Sequence, residues 1–366
     1  MILRAALAAS RAAHLSHEFS PRCRSSDQAW DLHGPEGLSI RVLGLGATWV
    51  SCRMPLPGGP RELLLGYDDE ASYRRQQSYL GVTLGRYANR IGHGQLQWQG
   101  QTMALDRLPD QPHHLHGGPQ GFDQRRWRLL DQRPDQLRLG LQSPDGDQGY
   151  PGALSVELSY RMGPNLTVEI SHRATVTAPC PVNLSAHPYF NLDGQGDARA
   201  QQLQVAASHV LPVDGQGLPN AALAPVATAD GGVFDFSAPR PISRHAAERA
   251  ASPQSQPPEV YDHAFLLDPE CAALSRPAAV LTAADGQVAL SLYTTLPALQ
   301  LYTGQHLAGG TRGCHPSWPD GSGVALEPQF LPDSPNHPEW PQPTCWLLPG
   351  EVYQHRLVYR FSRPAS

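Results

Sequence analysis

His187 stands in the stretch NLSAHPYFNL, residues 183–192, where most of its neighbours are apolar. A lone histidine in such surroundings is more often a buried side chain satisfied by a hydrogen bond than a proton donor. Its ring could still move protons near neutral pH, because an unperturbed imidazole titrates near ~6.5. On this stretch alone the structural interpretation is favoured.

Glu327 follows the apolar run Val324–Leu326 and precedes a proline-rich loop that contains Asp333. A carboxylate that emerges from an apolar strand tends toward a raised pKa, which suits a general acid or base near neutral pH. The alternative is a carboxylate hydrogen-bonded to the backbone of that loop. The local sequence does not separate these two interpretations.

Arg86, Asn89 and Arg90 lie between glycines in LGRYANRIGHGQL. An arginine can donate a planar fork of hydrogen bonds to a carboxylate, a phosphate or paired hydroxyls. The simpler interpretation is a surface hairpin with solvated arginines, since exposed arginine is common. From this segment alone the surface interpretation is favoured.

His114 and His116 lie two residues apart in HHLHGG and would share one face of a strand, so a metal pair of the cupin kind has to be considered. No Asp or Glu follows at a suitable spacing, and no third ligand is evident. We therefore expect no metal. The pair Gly117–Gly118 more plausibly lets backbone or a ligand approach His116 closely.

Several enzyme classes are excluded by composition. All 28 basic residues are arginine, which removes both a Schiff-base lysine and a phosphate-loop lysine. No GxSxG and no dinucleotide-binding fingerprint is present. The six cysteines are widely spaced and form no CxxC pair, so we interpret them as reduced thiols of a cytoplasmic protein.

The net charge of -5, without a basic block, predicts no binding to nucleic acid or to an anionic membrane. No run approaches the ~20 apolar residues that a membrane-spanning helix needs. Residues 1–29 begin with a basic, small-residue stretch, but Arg4 and Arg11 interrupt it, so export is not expected. We interpret these residues as an N-terminal extension of unknown role.

The rest of the chain has the pattern of an all-β protein. Apolar residues alternate through 154–160, Gly163–Asn165 supplies a turn, and alternation resumes from Leu166 to Ile170, which predicts a hairpin. Further strand candidates are residues 38–44, 287–295, 299–304 and 353–361. Many short strands with turn signals predict a large antiparallel β-sandwich or barrel. A helix is expected only at 241–252, inside a Pro, Ser and Gln-rich insertion near 239–259.

Taken together, these segments resemble the aldose 1-epimerase (galactose mutarotase) family. The resemblance is carried by six ordered motifs over about 250 residues: GRYANRI (85–91), LHGG with GFDQRRW (115–127), HPYFNL (187–192), YDHAF (261–265), LQLYTG (299–304) and ALEPQFLPDSPN (325–336). It extends from about residue 30 to the C-terminus and spans the insertion. We therefore expect residues 30–366 to form one domain, a large antiparallel β-sandwich with an open sugar-binding cleft.

The resemblance implies an enzyme that interconverts the α and β anomers of a free aldohexose such as galactose or glucose. His187 matches the general acid that protonates the ring oxygen, and Glu327 matches the general base that takes the proton of the anomeric hydroxyl. The residues that match those holding the sugar hydroxyls are Arg90, His116 and Asp262, with Asn89 and Gln300 in supporting roles. The family's reaction needs no cofactor and no metal, and we expect a monomer or a homodimer.

Two departures from the family pattern concern the sugar that fits. Ser185 and Ala186 stand where the family usually has Thr-Asn, and His113 and His114 stand where an Asn often precedes LHGG.

Two rival functions remain open. One is a sugar-binding protein without turnover, although a binder would need only the hydroxyl ligands. The other is an epimerase for a sugar phosphate, for which Arg125, Arg126 and Arg128 are the one cationic cluster to consider.

Overall fold

A computed structural model describes residues 28–243 and 259–364 of the chain. Residues 244–252 of the expected helix and most of the insertion therefore lie outside the described residues, and Pro241, where that helix was expected to begin, ends a short strand, Arg240–Pro241, instead. Within the described part, strands dominate and helices are few and short. The predicted all-β class is confirmed.

The strands of the first half, in chain order, are β1 (Ala29–His33), β2 (Ser39–Leu43), β3 (Thr48–Met54), β4 (Arg61–Glu62), β5 (Thr83–Leu84), β6 (Arg90–Ile91), β7 (Gln95–Trp98), β8 (Gln101–Ala104), β9 (His114–Leu115), β10 (Arg128–Arg133), β11 (Gln136–Ser143), β12 (Leu154–Gly163), β13 (Thr167–Val176) and β14 (Cys180–Pro181). Those of the second half are β15 (Ser185–Ala186), β16 (Tyr189–Phe190), β17 (Gln202–Val205), β18 (Ala207–Val210), β19 (Ala224–Pro225), β20 (Arg240–Pro241), β21 (Asp262–Leu267), β22 (Ala279–Thr282), β23 (Ala289–Thr294), β24 (Ala298–Tyr302), β25 (Val324–Gln329), β26 (Trp346–Leu347) and β27 (Tyr353–Ser362). The α-helices of the described part are α1 (Glu70–Arg75) and α2 (Leu307–Gly310). Short 3-10 turns lie at Gly92–Gly94, Phe122–Gln124, Asp147–Gly149, Ala198–Ala200, Ala229–Gly232, Pro269–Ala273 and Ser334–Asn336.

Two large antiparallel sheets form the body of the described chain. One has nine strands in the order β10-β11-β12-β13-β27-β23-β22-β17-β20, and the other has six in the order β16-β25-β24-β21-β18-β19. A four-stranded sheet, β1-β2-β3-β4, and several two-stranded pairs complete the framework. The sheets pack through their apolar faces: Phe190 of β16 lies 5.7 Å from Tyr359 of β27 between ring centroids. The predicted sandwich is therefore correct.

The predicted hairpin forms β12 and β13, and its alternation is visible in the burial pattern of both strands. Leu166 is not part of the return strand, because it lies in the turn with a φ of 51° and β13 begins one residue later. One hydrophobic cluster contains residues from Trp30 to Phe361, which supports the expectation of one domain. None of the helices in the described ranges is long and apolar enough to cross a membrane.

His172 is a polar residue inside this core. It lies opposite His355 on β13 and β27 and is fully buried, and neither of its ring nitrogens has a hydrogen-bond partner among residues 28–243 and 259–364. Burial lowers its pKa to about 3. The folded protein therefore carries a neutral, unpaired imidazole that would take up a proton near pH 6.5 in the unfolded chain.

We predict that His172→Leu stabilises the protein. The free energy of unfolding at pH 7 should rise by about 1–3 kcal/mol, because an unpaired buried polar group is replaced by an apolar side chain of similar size. The unfolded wild type binds a proton at this position below pH 6.5 and the folded protein does not until about pH 3, so wild-type stability is lost as the pH falls through that window. Chemical denaturation at pH 7 and pH 5 measures both effects. Exposed His33 supplies the control His33→Leu, and an unchanged pH slope in His172→Leu would contradict this account.

Candidate active site

The polar face of the six-stranded sheet carries three of the residues singled out from the sequence. Gln300 on β24 lies directly opposite Glu327 on β25, and Asp262 begins β21, the other neighbour of β24. Because side chains alternate between the two faces of a strand, all three point away from the apolar core that their neighbours fill. The register of this sheet therefore explains how residues far apart in sequence meet.

His187 reaches the same face from the short segment between β15 and β16. Its backbone N–H donates to the carbonyl of Val82 at 3.0 Å, and its carbonyl accepts from the N–H of Gly81 at 2.9 Å. Its Nε2 lies 3.4 Å from Oε1 of Glu327, and both side chains are almost completely buried. The structure thus brings together the two residues expected to act as acid and base.

Burial dominates the electrostatics of this pair. It lowers the pKa of His187 to about 4, although the nearby charge of Asp262 opposes the shift. It raises the pKa of Glu327 well above its ordinary value, with a further contribution from Asp262 and an opposing one from Arg90. Both shifts favour the neutral form of each side chain, so burial favours a proton on the carboxyl group of Glu327 over an ion pair with His187.

Neither member of the pair is tied up by other protein groups. His187 Nδ1 and Glu327 Oε2 are both buried and have no hydrogen-bond partner among the described residues. The interpretation of Glu327 as a carboxylate held by the proline-rich loop is therefore wrong. The carboxylate that is hydrogen-bonded to backbone is Asp333, whose Oδ1 accepts from the N–H of Gly92 at 2.9 Å.

His116 and Asn89 form a reciprocal backbone contact at the edge of the site. The N–H of Asn89 donates to Nδ1 of His116 at 3.1 Å, and the N–H of His116 donates to the carbonyl of Asn89 at 3.2 Å. Because Nδ1 accepts, the neutral ring carries its proton on Nε2. Burial holds the pKa of His116 well below its ordinary value, so the side chain offers a neutral N–H donor.

Arg90, Asp262 and Gln300 form a polar row beside the acid–base pair. Arg90 Nη2 lies 3.6 Å from Asp262 Oδ2, and Gln300 Nε2 donates to Asp262 Oδ1 at 2.6 Å. Gln300 Oε1 is buried and has no hydrogen-bond partner within the described part of the chain. Gly217 packs its backbone against the guanidinium, where a Cβ would lie 2.6 Å from Arg90 Cζ. This row presents both donors and acceptors, as a polyhydroxylated ligand requires.

A cleft of about 710 Å³ opens over this row, and Arg90 and Asp262 belong to its wall. Its other polar lining residues are Gln111, His113, Asp214, Gln216, His263, Gln305 and His306. A second cavity of about 740 Å³ lies beside Leu223 and Trp340, but none of the residues predicted to act in the site lines it. His187 and Glu327 line neither cavity, but the row that contains Arg90 and Asp262 lies beside this pair and lines the 710 Å³ cleft. The 710 Å³ cleft is therefore the candidate site.

Not every residue considered from the sequence belongs to the cleft. Arg86 is neither solvated nor available to a ligand, because its guanidinium is buried and donates to Ser143 and to the carbonyls of Pro144 and Gly152. His114 is also structural: its Nδ1 bonds the carbonyl of Asp106 and its Nε2 bonds the hydroxyl of Tyr150. The metal pair of His114 and His116 therefore does not form.

A different trio, His116, His187 and Glu327, has ligand atoms within 4.8 Å of one another and has to be examined as a metal site. His116 argues against it. Its Nδ1 already accepts a hydrogen bond, so the remaining nitrogen is an N–H that has no lone pair for a metal. The trio fits proton transfer better than metal binding.

The arginines considered for a phosphate lie outside the cleft lining. Arg125 pairs with Asp147 at 2.5 Å, and Arg126 pairs with Glu70 at 2.5 Å. Arg128 lies on β10, at the edge of the nine-stranded sheet. Two of the three charges are thus neutralised within the protein, and none lines the site.

The structure also places aromatic residues that sequence reasoning missed. Tyr79 and Tyr189 flank the ring of His187, with centroid distances of 6.1 and 4.9 Å. Tyr189 could have been found, because it follows His187 by two residues in HPYFNL and strand alternation returns it to the same face. Tyr79 gave no such signal, since it lies in a loop about 100 residues earlier in the chain.

Comparisons with known proteins identify the family. The sequence profile of the family described as aldose 1-epimerase matches residues 28–360. The chain is 45% identical over 334 residues to an aldose 1-epimerase of Escherichia coli K12, covering 90% of this chain and 94% of that protein. It is 34% identical over 338 residues to a human galactose mutarotase, covering 89% and 91%.

Solved structures give the same answer for the fold. A GalM/aldose epimerase homologue from C. elegans superimposes with a TM-score of 0.80 at 25% identity, covering 92% of this chain and 98% of that chain. A galactose 1-epimerase from Lactobacillus acidophilus NCFM gives a TM-score of 0.73 at 26% identity, covering 92% and 94%. The chain belongs to the aldose 1-epimerase family.

Proposed function

We propose that this protein is an aldose 1-epimerase that interconverts the α and β anomers of a free aldohexose such as galactose or glucose. The observation that carries the proposal is the buried pair of His187 and Glu327, 3.4 Å apart beside a polar cleft. An acid and a base in contact with the same ligand are what reversible opening of a sugar ring requires. The named relatives support the same reaction.

The proposed reaction moves two protons and breaks one bond. Glu327, as the carboxylate, takes the proton of the anomeric hydroxyl while His187, as the imidazolium, donates a proton to the ring oxygen. The bond between the anomeric carbon and the ring oxygen breaks and the open aldehyde forms. Rotation about the bond between C1 and C2, followed by the reverse transfers on the other face, gives the second anomer and restores both side chains.

The proton count of the empty site suits this reaction. The free pair holds one proton on Glu327, and the reactive form holds the same single proton on His187. Ring opening returns the pair to its neutral arrangement, which burial favours. The site therefore needs no proton from solvent at any step, and each positioned group can contribute about 10² to 10⁴ in rate.

Arg90, His116 and Asp262 are proposed to hold the sugar hydroxyls, with Asn89 and Gln300 in support. Arg90 and the Nε2–H of His116 donate, and the carboxylate of Asp262 accepts. Gln300 orients Asp262 through its 2.6 Å hydrogen bond. Asn89 acts through the backbone pair that fixes the tautomer of His116.

The remaining assignments follow from this chemistry and from composition. The proposed partner is a small aldose, without a cofactor or a metal, and the protein is proposed to be a cytoplasmic monomer or homodimer. A formal net charge of -5 supports the absence of nucleic acid and anionic membrane among its partners. One domain over residues 30–366 remains our proposal for the chain's organisation.

The proposal is tested by following anomeric proton signals in NMR spectra of freshly dissolved α-galactose, α-glucose, α-arabinose and galactose 6-phosphate. We expect the protein to accelerate equilibration of one or more free sugars in proportion to its concentration. The phosphate ester should react more slowly than galactose, because no arginine cluster lines the cleft. Binding of sugars without acceleration would favour a sugar-binding protein without turnover. Faster reaction of the phosphate ester than of galactose would favour an epimerase for a sugar phosphate.

Asp262→Asn should raise KM by about 10-fold or more, because a charged hydrogen bond to the sugar is lost. The negative charge of Asp262 raises the pKa of both His187 and Glu327. Its removal should lower both, so the acid and the alkaline limbs of the kcat profile should both move to lower pH. Asp268→Asn, just beyond the far end of β21, is the control. If both limbs of the pH profile stay in place, the charge of Asp262 does not raise the pKa of His187 and Glu327 as assigned.

A further inference from the structure

The loop that follows α1 holds His187 from both sides of its backbone. Gly81 donates to the carbonyl of His187, and Val82 accepts from its N–H. Within the loop, the N–H of Leu80 donates to Gln76 Oε1 at 2.7 Å. Tyr79 lies just before these residues in the loop. The hydrogen bonds that join Gly81 and Val82 to His187 therefore also fix the position of Tyr79 relative to His187.

Tyr79 adopts a backbone conformation that its side chain disfavours. Its φ is 56°, in the left-handed region that bulky residues rarely occupy. Such a conformation costs about 1–3 kcal/mol and persists where surrounding contacts determine it. Glycine or asparagine would adopt this positive φ with less strain. Tyrosine at this position instead directs an aromatic ring into the site.

The ring of Tyr79 packs on both histidines of the site. Its centroid lies 4.6 Å from that of His116 and 6.1 Å from that of His187, with which it is stacked. Tyr189 packs on His187 at 4.9 Å. The imidazole of His187 therefore lies among aromatic rings and touches Glu327 at its Nε2 end.

This packing replaces a contact that His187 lacks. A proton-transferring histidine is commonly oriented by a hydrogen bond at its second nitrogen. His187 Nδ1 is buried and has no such partner in the described part of the chain. The orientation of Nε2 toward Glu327 must therefore come from the rings around it. Of Tyr79 and Tyr189, Tyr79 is the one that lies in a separate loop.

We propose that Tyr79 is a positioning residue that fixes the imidazole of His187 for proton transfer and excludes water from it. The proposal rests on the proposed function of His187, but part of its test does not depend on turnover. Tyr79→Asn is the decisive variant, because asparagine tolerates a positive φ and so removes the ring without adding backbone strain. Tyr79→Phe, which keeps the ring, is the matched control.

In Tyr79→Asn we expect kcat to fall by about 10- to 100-fold, because a misplaced proton donor slows the chemical step. KM should change by less than about 3-fold, because His116, which also packs on the Tyr79 ring, keeps the hydrogen bond that its Nδ1 accepts from the N–H of Asn89. Tyr79→Phe should keep kcat within about 3-fold of wild type. Should the asparagine variant fail to fold, Tyr79→Met, which keeps apolar bulk without a ring, is measured in the same way and the same outcomes decide.

The readout without turnover is the NMR titration of the His187 ring protons in the free protein. The groups that face this ring are Glu327, His116, Tyr189 and Tyr79, with the charge of Asp262 nearby. Loss of the Tyr79 ring admits water, so His187 should titrate at a higher pH than in wild type, and the Phe variant should not shift. A folded Asn variant with wild-type kcat and an unmoved titration would overturn the proposal. A wild type that accelerates no sugar would instead refute the proposed function.

Discussion

Glu327→Gln is expected to lower kcat for anomer interconversion by about 10³-fold or more while leaving sugar affinity within about 3-fold of wild type. Glutamine has the shape of glutamate but cannot accept the proton of the anomeric hydroxyl, so the loss falls on the chemical step alone. The wild-type side chain is buried, and its Oε2 has no protein partner in the described chain, so few structural contacts are lost. Initial rates by polarimetry and affinity by calorimetry measure the two quantities.

The control for this variant is Glu270→Gln, which changes a carboxylate that is 78% exposed and outside the cleft lining. It should match wild type in both measurements. A Glu327→Gln protein that keeps more than about a tenth of wild-type kcat would show that Glu327 is not the base. A variant that loses affinity and rate together would instead assign Glu327 to ligand binding.

His187→Ala is expected to lower kcat by about 10²- to 10⁴-fold, because the ring oxygen then has no positioned proton donor. The substitution leaves a space of imidazole size beside Glu327 and Tyr189, so added imidazole should restore part of the rate. Rescue that saturates with imidazole concentration would show that the lost function is proton transfer rather than folding. His209→Ala, which changes a histidine of β18 in the lining of the 740 Å³ cavity, is the control.

The pH dependence of the rescued reaction gives a second check. In wild type, burial lowers the pKa of His187 to about 4, so the pair takes up a second proton only in acid. It gives up its single proton only above the ordinary range of a carboxyl group, since the pKa of Glu327 is raised. Wild-type kcat should therefore show no acid limb near pH 6.5, the ordinary pKa of an imidazole. In His187→Ala with imidazole it should follow the titration of free imidazole instead.

The fold was readable from the sequence because alternation in a half-buried strand reports which face is covered. The hairpin of β12 and β13 shows this, whereas every residue of β25, Glu327 included, is buried and its burial does not alternate. The resemblance to the family, carried by six ordered motifs, then implied which residues meet. The register of β24 against β25 sets Gln300 opposite Glu327. This register depends on how the two strands pair, so it cannot be predicted from the sequence of either strand alone.

Residues whose role depends on tertiary packing were misread or missed. Arg86 has the same local surroundings in sequence as Arg90, yet one is buried under backbone carbonyls and the other faces the cleft. His114 and His116 are two residues apart, but the φ of 52° at His116 turns the second ring into the site. Tyr79 reaches the site through a loop, where no periodicity indicates direction.

The most direct test of the central claim is the initial rate of optical-rotation change of freshly dissolved α-galactose with wild-type protein, compared with folded protein that carries both His187→Ala and Glu327→Gln. The account predicts acceleration over the spontaneous rate that is proportional to wild-type concentration and that the double variant lacks. Equal acceleration by both proteins would contradict the assignment of this pair as the acid and base.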